Sequence, residues 1–314
     1  MTADSSPTAA GQGGRSTEVP VDLIDTTVAH SARVYDFWLG GKDHYTADRA
    51  AGMAVVEHNP GIVPAVRANR RFLVRAVRHL VGEVGLRQIL DIGTGLPSTQ
   101  PVHEVAQAVA PSTRVVYVDN DPIVIIHARA LLRGQAGRVT YVDADVRDVD
   151  GLLTRSRESL DLSQPVVVML LMIMQFVPDE ADPYAIVRRL MDALPSGSHL
   201  ALSHPARDDG LGIANTATQR YNERVATPMT RRSREEILRF FDGLTLIEPG
   251  LVQLPDWRPD QPVAPDRAGE VADDVPDGGG DDAEDAGDLA ALLESAARSD
   301  APVSPAYCGI ARKD

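Results

Sequence analysis

Asp91, Gly93, Thr94 and Gly95 lie in "QILDIGTGLPSTQPVHEVAQAV", residues 88–109, where a short apolar run enters an Asp-x-Gly-x-Gly turn and a helix follows. Two further apolar runs end in carboxylates. "RVVYVDNDP" ends at Asp119, with Asn120 beside it, and "RVTYVDADVRD" ends near Asp143 and Asp145. In an open parallel sheet, groups at the carboxyl ends of the strands face the ligand crevice. Asp119 is suited to accept both hydroxyls of a ribose, and its charge would repel a 2′-phosphate. Asp145 can take the exocyclic amine of an adenine, while the neighbouring N–H of Val146 serves the ring. These residues also have plainer uses. The glycines suit any tight turn, and "DNDP" is a good helix start with Pro122 at its first position. Asp145 and Asp148 could cap the next helix in the same way. Taken in order, the turn and the two strand-end acids point to an adenosine-bearing ligand.

The glycine turn decides which ligand. In the G-x-G-x-x-G pattern for dinucleotides a third glycine is expected where Ser98 stands. Pro97 and Pro101 occupy positions where N–H groups would gather on a pyrophosphate, and proline has no N–H. The loop favours close approach by a ligand without phosphates. S-adenosylmethionine fits, because a methionine tail replaces the phosphates and Asp91 or a neighbouring backbone group can meet its ammonium. NAD is the weaker fit.

These residues need a scaffold. Apolar runs at 88–92, 114–119, 138–143, 165–171 and 198–204 alternate with helical patterns at 101–110, 122–133, 148–158 and 179–194. Such alternation with wholly apolar strands predicts an α/β fold, a doubly wound Rossmann-like parallel sheet covered on both faces. Residues 21–80 read as helical, with Gly40 and Gly41 marking a turn. Ser233 and Glu236 have capping-box spacing at the head of a helix over 233–242. Strands are expected at 243–248 and 305–311. The reading divides the chain into a disordered tail at 1–20, a helical lid or substrate segment at 21–80, and a cofactor-binding domain at 81–255 and 304–314. The remaining stretch, 256–303, is an acidic, largely disordered insertion, with a short amphipathic helix at "DLAALLESAARS".

The chain resembles the S-adenosylmethionine-dependent methyltransferases common in actinobacteria, within the Rossmann-like class. The resemblance rests on "ARVYDFWLGGKDHYTADR", "NRRFLVRAVRHL", "ILDIGTGLPS", "VHEVAQ", "VVYVDNDP", "HARALL", "FVPD", "RSREEILRFFDGL" and "PGLVQLPDWRP". It spans roughly residues 22–255 and the last strand. It implies a seven-stranded sheet whose last strand, "PAYCGIARKD", is antiparallel. It also implies that the Tyr35–Tyr45 segment folds over the cofactor and substrate. Where Gln175 stands the family pattern has a histidine, which removes a proton-transfer group there. Gln175 is counted with the cofactor-binding residues.

Methyl transfer needs alignment and exclusion of water more than acid–base groups. Only His44, in "GGKDHY", and His204, at a strand end, are candidates for catalysis. Tyr35, Gly41, Lys42, Asp43, His44, Arg67 and Arg70 are the candidate lid and substrate residues. "HEVAQ" at 103–107 starts like a zinc motif, but Gln107 replaces the second histidine, so no metal is expected. The formal charge is −14, and residues 266–300 hold twelve carboxylates against Arg267 and Arg298. No basic face for nucleic acid is visible. "VVVMLLMIM" at 166–174 is too short for a membrane span. A lone cysteine, Cys308, and a polar N-terminus lead to the expectation of a cytoplasmic enzyme acting on a small molecule. A non-catalytic regulatory protein that binds S-adenosylmethionine or its demethylated product is the alternative, and an NAD-dependent oxidoreductase is the third reading. The sequence names neither the methyl acceptor nor the oligomeric state.

Overall fold

The apolar runs extend as β1 (Gln88–Ile92), β2 (Arg114–Asp119), β3 (Val139–Asp143), β4 (Val167–Leu171) and β5 (His199–Pro205). Successive side chains of a strand point to opposite faces. Leu90, Val116, Val168 and Leu200 therefore enter one core, and Ile89, Val115, Val167 and Ala201 enter the other. Burial on both faces explains why these strands read as unbroken apolar runs. The computed structural model describes residues 25–97, 100–131, 137–207, 212–259, 283–298 and 302–314. The tail at 1–20, Ser98 and most of the acidic stretch lie outside the described residues.

Among the described residues the sheet has eight strands, in the order β3-β2-β1-β4-β5-β8-β6, where β6 is Thr245–Leu246 and β8 is Ala306–Arg312. A further short strand, β7 (Val252–Gln253), also pairs with β8. The first five strands run parallel, and β8 is antiparallel to β5. The eighth strand arises because the expected run at 243–248 pairs over only two residues. The chain then turns at Gly250, which has φ +84°, and pairs again. Strand order reverses between β1 and β4, which opens a crevice at their carboxyl ends.

Three N-terminal helices, α1 (Ser31–Leu39), α2 (Thr46–Val56) and α3 (Ile62–Arg78), stand over that edge. α3 packs on two sides. Phe72, Leu73, Ala76 and Val77 meet the sheet core, while Val63 and Val66 meet Phe37, Trp38 and Val55 of α1 and α2. Along the sheet follow α4 (Val102–Val109), α5 (Pro122–Leu131), α6 (Val149–Ser156) and α7 (Pro183–Asp192). Next come α8 (Ile213–Asn222), which the sequence reading did not include, and α9 (Arg234–Leu238). Asp148 caps α6 by accepting from the Gly151 N–H, and Ser233 and Glu236 form the expected reciprocal box on α9.

Both ends of the acidic stretch are tied to the α3 region. Arg75 donates to the carbonyls of Leu254 and Trp257, both at 2.7 Å, and the fully buried Trp257 ring meets Phe72 edge-on. On return, the Ser304 N–H donates to the Gly61 carbonyl at 3.0 Å. A Cβ on Gly61 would overlap the Pro302 carbonyl, so only glycine allows this approach. Within the stretch, α10 (Ala283–Ala297) buries Leu293 and Ala296 against the N-terminal helices, and Arg67 reaches Glu294 at 2.6 Å. This is the amphipathic helix expected at "DLAALLESAARS", begun five residues earlier, and its apolar face has a place to be buried.

Candidate functional site

The glycine turn follows directly from β1. Gly93 has φ +73° and Gly95 has φ +67°, a region that costs other residues a clash between Cβ and backbone. Gly93 is doubly constrained, because an added Cβ would lie 2.6 Å from the Ile173 side chain. Asp91, the last but one residue of β1, is buried and accepts from Thr94 Oγ1 at 3.3 Å. Burial pushes its carboxyl up to about 7, although the Arg70 charge and the Thr94 hydroxyl work the other way. An acid held near neutrality stands to gain from a cation placed beside it.

Asp119, at the end of β2, is the fixed point of the next turn. Its Oδ2 accepts from the Gly95 N–H at 2.8 Å, and its Oδ1 from the N–H groups of Asn120 and Asp121 at 2.9 and 3.0 Å. Burial raises its pKa, against the pull of these donors. Asp145 lies past the end of β3 and is held differently. Arg147 Nε donates to its Oδ1 at 2.8 Å and Nη2 to its Oδ2, while Asn120 Nδ2 reaches Oδ2 at 3.3 Å. Those bonds keep its pKa low, so it stays ionised.

These residues line two neighbouring cavities that share Gly93, Asp119 and Asn120. Asp91, Gly93, Thr94, Gly95, Asp119, Asn120 and Gln175 line the main cavity, and Asp119, Asn120, Asp145 and Val146 line the adjoining recess. Beyond the glycine turn the main cavity becomes apolar and aromatic, walled by Trp38, Leu39, Ile62, Val66, Phe176 and Met229. Tyr35 and Arg70 of the lid group also line it. Asn69 Nδ2 donates to Tyr35 Oη at 3.0 Å and its Oδ1 accepts from Ser203 Oγ at 2.7 Å, so the roof is bonded to β5.

The other lid candidates lie elsewhere. Gly41, Lys42, Asp43 and His44 do not line the cavity; they form a turn closed around Asp36, which does. Asp36 Oδ2 accepts from the Asp43 N–H at 3.0 Å and lies 3.2 Å from His44 Nδ1. A Cβ on Gly41 would collide with that carboxylate. Arg67 points to Glu294 of α10 instead of the cavity. His204 is fully buried and does not line the cavity either; its Nδ1 donates to the Pro205 carbonyl at 2.8 Å and its Nε2 lies 2.8 Å from Arg232 Nη1. Burial drives its pKa down to about 3, so it is a neutral structural imidazole and not the catalytic group proposed for that strand end. His103, of the broken zinc pattern, is bonded to Tyr117 Oη.

Several residues that shape the site were not singled out. His30 and Ser31 line both the cavity and the recess, and His30 Nδ1 sits 2.9 Å from Asp121 Oδ2. Arg33 and the wholly buried Asp48 complete that link, tying α1 to the start of α5. Arg231 lines the cavity and donates to Thr218, Ser304 and the Ala206 carbonyl. Arg232 donates to the carbonyls of Met174 and Val177 at 3.0 and 2.9 Å and clamps the loop that follows β4. An arginine pair just before a capped helix was the sequence signal available for these two.

Comparisons with known proteins show what the whole chain is similar to. A DUF574 family protein from Streptomyces avermitilis MA-4680 is 40% identical, covering 92% of this chain and 99% of its own, with a TM-score of 0.77. A methyltransferase candidate from Thermobifida fusca YX is 36% identical over 95% of this chain and 100% of its own, with a TM-score of 0.75. No curated protein matches the chain. The S-adenosyl methyltransferase family profile, Methyltransf_19, matches residues 17–314. A glycine turn poor in phosphate ligands, set at the switch point of a class I sheet, is what such a cofactor asks for, and the chain belongs to this family of S-adenosylmethionine-dependent methyltransferases.

Proposed function

We propose that the cavity carries out methyl transfer to a small molecule, with the cofactor lying across the glycine turn and the acceptor in the apolar compartment beneath α1 and α3. One observation carries this reading: a carboxylate held near neutrality by burial, Asp91, opens into the same cavity as the glycine turn and Asp119. Asp91 would meet the ammonium of the methionine tail, and Arg70, lining the cavity nearby, its carboxylate. Asp119 would accept the ribose hydroxyls. Asp145 and the Val146 N–H would face the adenine, and Asp145 would have to share itself with Arg147.

When bound, S-adenosylmethionine supplies an electrophilic methyl carbon on a positive sulfur. The chain's task is to hold an acceptor atom in line with that carbon and keep water out, which is worth roughly 7–11 kcal/mol through proximity and orientation. Trp38, Leu39, Ile62, Val66 and Met229 supply the dry wall. Neither His44 nor His204 lines the cavity, and His30, which does, has its Nδ1 2.9 Å from Asp121, so the reading assigns no histidine base. It suits an acceptor already nucleophilic near neutral pH.

The division into a lid segment at 21–80 and a binding domain at 81–255 and 304–314 belongs to the same proposal. So does a cytoplasmic location, for which the single buried cysteine is the support. No helix among the described residues is long and apolar enough to cross a membrane. Titration calorimetry with S-adenosylmethionine, S-adenosylhomocysteine and NAD tests the reading. Binding of both adenosyl ligands, lost in Asp119→Ala, is expected; binding of NAD alone would sink it.

A further inference from the structure

The ribose of an adenosyl cofactor brings two hydroxyls, and each has a proton to donate. Asp119, where the main cavity meets the recess, has little room for both. Its Oδ1 already accepts from the N–H groups of Asn120 and Asp121, and its Oδ2 from that of Gly95. A carboxylate offers about four lone-pair sites, so with three in use about one remains, on Oδ2. A buried hydroxyl left without a hydrogen-bond acceptor is unfavourable. The second hydroxyl therefore needs another acceptor within reach of the first.

His30 is placed to be that group. Like Asp119 it lines both the main cavity and the recess, and it comes from the lid side, at the N-cap of α1. Its N–H donates to Asp48 Oδ1 at 2.9 Å, which fixes the backbone. Its ring is held by Asp121, which is buried and whose Oδ2 lies 2.9 Å from Nδ1. Burial works against ionisation of Asp121, but His30, the Ile123 N–H and Arg33 hold its carboxyl below its ordinary pKa. An ionised carboxylate can only accept, so the Nδ1 beside it carries the proton; the Ala32 N–H stands farther off, at 3.4 Å. In the neutral ring Nε2 then keeps its lone pair.

Nε2 is also on the open edge of the ring. The His30 side chain is 26% exposed. With Nδ1 turned to a buried carboxylate, that surface lies on the opposite edge, formed by Cδ2 and Nε2. Among the described residues Nε2 bonds to nothing in the protein, and it is not one of the side-chain atoms buried without a partner. Asp121 sets both groups at once, since its N–H holds Asp119 and its carboxylate holds His30.

We infer that His30 is a cofactor-binding residue whose Nε2 accepts one ribose hydroxyl of S-adenosylmethionine from the lid side, while Asp119 accepts the other from the sheet side. This rests on the methyl-transfer reading and narrows it, because Asp119 takes one hydroxyl instead of two. The ribose is then gripped between α1 and the end of β2, and a cofactor lacking either hydroxyl is disfavoured.

The test varies protein and ligand together, by titration calorimetry of the full chain at pH 8. The ligands are S-adenosylhomocysteine and its 2′-deoxy and 3′-deoxy analogues. The wild type should bind one analogue about 3- to 10-fold more weakly, the value of one neutral hydrogen bond, and the other about 10-fold or more, as for a bond to a charged group. His30→Asn, checked for folding by thermal melting, separates the roles. Its amide nitrogen can stand where Nδ1 stands and its side chain can cap α1, so the tie to Asp121 is kept and Nε2 alone is lost. The smaller penalty should vanish and the larger one persist, whereas a purely structural histidine would leave both. His30→Gln, whose longer amide brings an oxygen near the place of Nε2, should restore part of the smaller penalty. Any other pattern in His30→Asn, with both penalties unchanged or both lost, overturns the inference. A wild type that binds both analogues as tightly as S-adenosylhomocysteine also overturns it, and requires no variant to fold. Failure of the wild type to bind S-adenosylhomocysteine at all would instead sink the methyl-transfer reading on which the inference stands.

Discussion

Arg232 Nη1 donates to His204 Nε2 at 2.8 Å, and the same guanidinium holds the carbonyls of Met174 and Val177. The histidine at the end of β5 therefore supports the loop after β4 from behind. His204→Ala should cost about 1–3 kcal/mol of stability, because it leaves a buried arginine N–H without an acceptor. Affinity for S-adenosylhomocysteine at pH 7 should stay within about twofold. The stability that neutral His204 provides is present above about pH 6.5 and is lost as pH falls toward 3, since burial has lowered its pKa. Denaturant melts at pH 7 and pH 5 would show a smaller acid loss in the variant; an equal loss would refute the assignment.

Asp91 has the opposite sign. Its folded pKa is raised to about 7, so stability associated with it is present below about pH 4 and lost as pH rises through 7. Asp91→Asn should stabilise the free protein at pH 8 by on the order of 3 kcal/mol. Cofactor binding should run the other way, because the ammonium prefers the ionised form. Affinity for S-adenosylmethionine is expected to rise toward tenfold per pH unit below 7 and to level off above it. Calorimetry from pH 5.5 to 8.5 checks this, and the Asn variant should show a weaker, flatter profile.

Gly93→Ala combines a positive φ with a Cβ 2.6 Å from Ile173. It should lose about 1–3 kcal/mol in melts, together with most cofactor affinity. Asp119→Ala removes the acceptor for three backbone N–H groups and for the ribose, so a loss of roughly 10- to 100-fold in S-adenosylhomocysteine affinity is expected. An unchanged dissociation constant in either variant would place the cofactor elsewhere.

α10 offers a test of the acidic stretch. Leu293→Ala should destabilise the protein by about 2–4 kcal/mol, as truncation of a buried leucine does. Arg67→Ala, which breaks a partly exposed ion pair with Glu294, should cost at most about 1 kcal/mol. Urea titrations of the two variants separate these values; equal small effects would mean that α10 is not packed as described.

The strands and the glycine turn were legible in the sequence because their signals are local. A strand buried on both faces must be apolar throughout, and Gly93 and Gly95 mark positions where the backbone turns left-handed. Asp91, Asp119 and Asp145 could be placed at strand ends by counting along those runs, since a parallel sheet brings successive strand ends to one edge. Nothing local distinguishes His204 from a catalytic histidine, or Arg67 from Arg70. Those outcomes depend on which distant side chain arrives: Arg232 from 28 residues away for His204, and Glu294 from 227 away for Arg67. The link between His30, Arg33, Asp48 and Asp121 is likewise invisible in the sequence. The sequence by itself determined the sheet, its crevice and the kind of cofactor that would suit the turn. Tertiary structure alone decided which polar groups are consumed in holding the fold and which remain for a ligand, because burial and long-range pairing set the cost of leaving each one unmet.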